Sequence, residues 1–110
     1  MAWQSTYKYA RISARKARLI VDLIRGRDVQ DALNILKFTH NRAAGMISKT
    51  LKSAVANAQE AEADVESLIV HEARIDEGPV MKRFQPKDRG RAHPILKRTS
   101  HIVVSVEELA

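Results

Sequence analysis

Residues 78–102 read GPVMKRFQPKDRGRAHPILKRTSHI, and the rest of the chain falls into place around them. This stretch holds the bases Lys82, Arg83, Lys87, Arg89, Arg91, Lys97 and Arg98 and one acid, Asp88. Its charge of +6 equals that of the whole 110-residue chain, because 12 of the 19 bases and 12 of the 13 acids lie outside it and cancel. Val80, Met81, Phe84, Ile95 and Leu96 are scattered among charges and turn formers, too few to build a core. Pro86 and Gly90 bracket a polar apex at 87–89, as expected where an extended segment reverses. The reading is a two-stranded arm that leaves the body. At about 3.3 Å per residue, the dozen steps from 78 to 90 project roughly 40 Å. A solvated flexible loop is the alternative, and apolar strand patterns on both sides favour the arm. An isolated ribbon is marginal in water and its like charges repel, so the arm is expected to order only when a polyanion surrounds it.

Outward from the arm, residues 68–75, LIVHEARI, read as the strand that feeds it. Ile102, Val104 and Val106, alternating with Val103 and Ser105, read as the strand that returns. His71 falls in an apolar column and reads as a packed side chain. The two flanks pair most simply as the base of one antiparallel hairpin, with residues 7–12 as a third strand. Residues 3–12, WQSTYKYARI, place Tyr7, Tyr9 and Arg11 on one face and Lys8, Ala10 and Ile12 on the other. Such tyrosines either stack on bases or pack half-buried on the body.

Three helical patterns fill the interval. Ser13 has the chemistry of an N-cap and Gly26 that of a left-handed terminus. Between them Ala17, Ile20, Val21 and Ile24 recur at helical spacing as a core face. Arg15, Lys16, Arg18, Asp22 and Arg25 take the polar side. Asp28 with Asp31 resembles a capping arrangement for a second helix that carries Val29, Leu33 and Leu36 and ends near residues 38–39. A third helix runs from about 41 to 60 with Ala43, Ile47, Leu51, Ala54, Val55 and Ala58 as its buried stripe. Residues 59–66, QEAEADVE, are acidic and read as a loop turned away from any polyanion.

Composition bounds the function. A pI near 10 speaks to partners rather than fold. Residues 1–27 form a second basic patch, Lys8, Arg11, Arg15, Lys16, Arg18, Arg25 and Arg27 against Asp22 alone, suited to phosphates. No apolar run approaches the ~20 residues that span a bilayer, and the N-terminus lacks a signal-peptide core. With no cysteine there is no disulfide or thiolate zinc site, which fits a reducing cytosol. The four histidines have no paired metal spacing; His93 and His101, in the basic arm, read as hydrogen-bond partners for RNA. The four glycines are isolated, so no phosphate-cradling loop is present. No nucleophile stands beside a base. The expectation is a non-enzyme with no cofactor and no metal.

Two other classes suit the chain less well. In a helix-turn-helix DNA reader the second helix enters the groove, but here it carries Asp28 and Asp31 and only Lys37 as a base. A membrane-surface module needs a bulky apolar face left exposed, and the first helix's apolar face is required for the core. A scaffold for folded RNA fits better. Aromatic platforms are almost absent, so recognition is of phosphate and shape.

Specific motifs then agree with a known family. The run Ser13-Ala14-Arg15-Lys16-Ala17-Arg18 with Asp22-Leu23-Ile24-Arg25-Gly26, the run 51–58, LKSAVANA, and Gly78-Pro79 through Ile102 resemble the bacterial L22 family of large-subunit ribosomal proteins. The match spans nearly the whole chain in order, and is most specific at Gly90-Arg91 and 95–102. The resemblance implies an α+β fold, with three helices packed on a small antiparallel sheet and one long protruding β-hairpin. It implies one RNA-binding domain over 1–110, with 78–102 as the arm. It also implies a cytoplasmic protein of the ribosome that binds large-subunit ribosomal RNA, supports assembly and touches neighbouring ribosomal proteins. The hairpin would line the nascent-peptide exit tunnel, with Lys87, Asp88, Arg89, Gly90 and Arg91 at the tip facing the nascent polypeptide. Met81-Lys82-Arg83 resembles the segment linked to macrolide response. Membrane and DNA are not among the partners implied. Asp88, where the family usually has a small residue, and His93-Pro94, where a charged or aromatic pair is commoner, are departures that bear on tip behaviour such as peptide stalling.

Overall fold

In the computed structural model, which describes residues 2–87 and 91–108, with backbone alone across 81–97, the middle strand of the body is the last one. This strand, β5 (Ser100–Glu108), reads SHIVVSVEE. Its β-branched residues Ile102, Val103, Val104 and Val106 suit the middle of a pleated sheet, and residues 102–106 are all buried. It pairs antiparallel with β1 (Ala2–Ala10) on one side and β2 (Leu68–Glu77) on the other. The return strand therefore joins both the feeding strand and the N-terminal strand, as the sequence predicts.

The helices lie on one face of this sheet. In α1 (Ala14–Ile24), Ala14, Ala17, Ile20, Val21 and Ile24 are buried, the face that their spacing predicts. α3 (Arg42–Glu60) crosses β1 and β5 with its stripe inward. Ala43, Ala44, Ala54 and Ala58 let its backbone approach closely, and Ile47 and Leu51 fill the centre with Ile102, Val104 and Val106. α2 (Val29–Phe38) packs against α3 through Val29, Ala32 and Leu36. Asn41 caps α3, its Oδ1 accepting the Ala43 N–H at 2.8 Å. α3 runs to Glu60, so the expected acidic loop shrinks to residues 61–64 and a single 3₁₀ turn at Val65–Ser67.

Gly26 ends α1 at φ +80°, the left-handed geometry expected of it. The turn is sewn to β2: Gly26 N–H donates to the Val70 carbonyl at 2.9 Å, and Val70 N–H to Arg27 at 2.8 Å. Two expected capping bonds do not form. Ser13 and Asp28 stand at the N-cap positions, but neither side chain makes a capping hydrogen bond. Asp28 instead forms an isolated bridge with Ile69, so its extended backbone serves the sheet edge.

Two bulges overturn the simple alternation. Register shifts between Tyr7 and Ala10 in β1, where Tyr9 takes φ +56°. Tyr7 is consequently half-buried against the core, whereas Tyr9 is 61% exposed, so the tyrosines do not share an environment. In β2 the ladder slips between Val70 and Glu72. His71 is thereby turned out to solvent, where its Nδ1 lies 3.0 Å from Glu107, and it is not the packed residue expected.

Beyond the body, β3 (Met81–Lys87) and β4 (Arg91–Lys97) pair antiparallel and only with each other, from Met81 opposite Lys97 to Lys87 opposite Arg91. Seven residues of strand add about 23 Å, consistent with a molecule 64 Å long and 24 by 17 Å across. The arm is latched at its root. Gly78 N–H donates to the Thr99 carbonyl at 3.0 Å, and Thr99 Oγ1 donates to the Pro79 carbonyl at 2.6 Å. A Cβ on Gly78 would stand 2.5 Å from Thr99 Oγ1, so only glycine fits there. Below the latch, the fully buried Ser100 hydroxyl donates to the Ile12 carbonyl at 2.7 Å.

Candidate nucleic-acid interface

The polar side of α1 lies along the outer edge of β2, where unpaired carbonyls would otherwise face solvent. Arg25 donates through Nε and a terminal nitrogen to the Ala73 carbonyl at 3.2 and 2.6 Å, and pairs with Asp22 at 2.8 Å. Arg18 donates to the Ile75 carbonyl at 3.1 Å, and Arg27 to the Leu23 carbonyl at 2.8 Å. Three of the seven expected phosphate contacts in the N-terminal patch are therefore anchored on backbone. A guanidinium has five N–H donors, so each keeps donors for a ligand while its position is fixed. Lys8, Arg11, Arg15 and Lys16 are exposed and in no ion pair among the described residues.

The fold also brings the two basic regions together. A cleft of about 330 Å³ separates the first turn of α1 from the arm root, with Arg15 and Arg18 on one wall and Glu77, Gly78, Arg98 and Thr99 on the other. Sequence reading missed this convergence, because Arg15 and Arg98 are distant in the chain and only the β2–β5 pairing makes them neighbours. His101 stands nearby. Its Nδ1 accepts the Tyr9 N–H at 3.1 Å and its ring meets the Tyr9 ring edge-on at 4.9 Å. With Nδ1 accepting, Nε2 is the nitrogen left to donate.

Acids gather on the sheet face opposite the helices. Arg74 is flanked by Glu72 and Asp76, bonded to the first and 3.2 Å from the second. Those hydrogen bonds, Glu72 first, raise its pKa above the ordinary arginine value, so it stays cationic and neutralised in place. His71 and Glu107 form a further pair on this face. Lys49 sits 5.9 Å above the Tyr7 ring, at the limit of a cation–π contact, so it is partly engaged within the body.

Among the described residues no group of histidines, cysteines and carboxylates is placed to hold a metal, and no helix is long and apolar enough to cross a membrane. Of the expected arm contacts, the side chains of Lys82, Arg83, Lys87, Arg91, His93 and Lys97 lie outside the described side chains, and Asp88, Arg89 and Gly90 outside the described residues.

The sequence profile of the family described as ribosomal protein L22p/L17e matches residues 5–107. The chain belongs to that family. It is similar to the large ribosomal subunit protein uL22 of Magnetococcus marinus, 55% identical over 94% of this chain and 92% of that one. The corresponding protein of Ligilactobacillus salivarius is 57% identical over 94% and 90% of the two chains. That of Oleidesulfovibrio alaskensis is 49% identical over 98% and 99%. The L22p/L17e match takes in the α1 patch, the cleft and the whole arm, so no part of the interface lies outside the shared region.

Proposed function

We infer that this chain is a non-catalytic structural constituent of the large ribosomal subunit, working in the cytoplasm within the ribosome. It binds large-subunit ribosomal RNA and adjoins neighbouring ribosomal proteins. The whole chain acts as one RNA-binding unit. Its body lies at the RNA surface, and its arm threads inward so that the tip at 87–91 borders the path of the nascent polypeptide.

The observation that carries this reading is the placement of the net charge. The net charge of 78–102 equals that of the whole chain, and six of its seven bases lie within 81–97, where β3 and β4 pair only with each other. Such a ribbon lacks a core to hold it and gains stability when RNA phosphates surround it. Lys82, Arg83, Lys87, Arg89, Arg91, Lys97 and Arg98 supply the phosphate contacts from the arm, with His93 and His101 as hydrogen-bond partners. Lys8, Arg11, Arg15 and Lys16 supply them from the body, with Arg18, Arg25 and Arg27 through the donors that the backbone leaves free. Phosphate contacts fix register without reading sequence, which suits a scaffold. Asp88 places one carboxylate beside the nascent chain. A photo-crosslinker at position 89 or 91 in cells tests this. Adducts to large-subunit RNA and to nascent peptide are expected, and adducts confined to proteins outside the ribosome would overturn it.

A further inference from the structure

We propose that the cleft between α1 and the arm root seats a single backbone phosphate of the bound RNA, held jointly by Arg15, Arg18 and Arg98. This deepens the RNA-binding reading above and rests on it. Three arginines from two distant segments line one cavity whose volume, about 330 Å³, is at the small end of ligand-sized clefts. One of the three is set in advance, because Arg18 is tied to the Ile75 carbonyl, and the backbone that carries Arg98 leads into Thr99, whose side chain bonds Pro79. Arg15 rises from the first turn of α1. Planar, pre-positioned guanidinium forks match phosphate oxygens and lose little freedom on binding.

Glu77 contributes the one carboxylate of the lining. Its charge opposes an anion and weakens occupation by stray ions. Because one wall belongs to α1 and the other to the arm root, a phosphate seated between them ties the direction of the arm to the body. The contact therefore acts on arm geometry as well as on affinity.

The test uses the full chain and a transcript of large-subunit ribosomal RNA, with binding followed across a salt series. Arg18 is left in place because it also holds β2. Arg15→Ala and Arg98→Ala should each weaken binding about tenfold and lower the slope of log affinity against log salt by about one. The double variant should again lose only about one unit, because both residues serve the same phosphate. Glu77→Gln should tighten binding. All three side chains are exposed, so thermal midpoints should stay put and a folding defect is distinguishable. A double variant that loses two units with multiplied affinity losses, single variants without effect, or weaker binding by Glu77→Gln would each overturn the shared seat. Wild-type protein that binds this transcript no better than an unrelated RNA would overturn the parent reading instead.

Discussion

Gly78 and Gly26 look alike in the sequence and are required for opposite reasons. At Gly26 nothing lies within 4 Å of where a Cβ would sit, but φ is +80°. Gly26→Ala should therefore cost about 1–2 kcal/mol in backbone strain alone. At Gly78 the obstacle is an atom, Thr99 Oγ1 at 2.5 Å. Gly78→Ala should cost about 1–3 kcal/mol, as overpacking does, and pairing it with Thr99→Ala should relieve the clash while losing the bond to Pro79. Gly45 has open space and an ordinary φ in the exposed face of α3, so Gly45→Ala should stabilise by roughly 0.5–1 kcal/mol. Urea unfolding of the single variants and the 78/99 double checks all of these. A Gly78→Ala protein as stable as wild type would remove the latch. Gly26 was legible in the sequence because a helix end announces itself locally. Gly78 was not, since its need arises from a residue across the sheet.

At the scale of elements, the patterns that could be read were those with a buried face. α1 and α3 follow their apolar spacing, and β5 follows its β-branched run. What escaped was decided by partners far along the chain. The bulges at Tyr9 and His71 come from register against β5, and the expected cap at Asp28 gives way to a bridge with Ile69 of β2. Arg18 and Arg25 read as free cations, yet each holds a β2 carbonyl. Arg25→Ala should thus lower stability by about 1–2 kcal/mol, as well as weakening RNA binding, whereas Lys16→Ala should affect binding alone. Chemical unfolding beside RNA titration separates the two, and equal stability of both variants would contradict the anchoring role. β3 and β4, an isolated ribbon of marginal stability, should show amide exchange at least tenfold slower in the RNA complex than in the free protein. Equal exchange in both states would contradict ordering by RNA.

Over the whole molecule, charge is sorted by place. Acids on the outer sheet face are paired with Arg74 and His71, while the α1 flank and the arm carry surplus positive charge that meets at the cleft. A 64 Å molecule with a body no wider than 24 Å presents this charge along its length rather than as one patch. The family could be recognised from motifs spread over nearly the whole chain, and the architecture agreed with it. A phosphate contact leaves no periodic trace in sequence, so the meeting of Arg15, Arg18 and Arg98 at one cleft was legible only in the fold. The central claim is that the arm's cations hold RNA. Full-length protein with Lys82, Arg83, Lys87, Arg89, Arg91 and Lys97 all replaced by Gln should keep its body fold, and its salt slope on large-subunit ribosomal RNA should fall by about five units. An unchanged slope, with affinity intact, would contradict it.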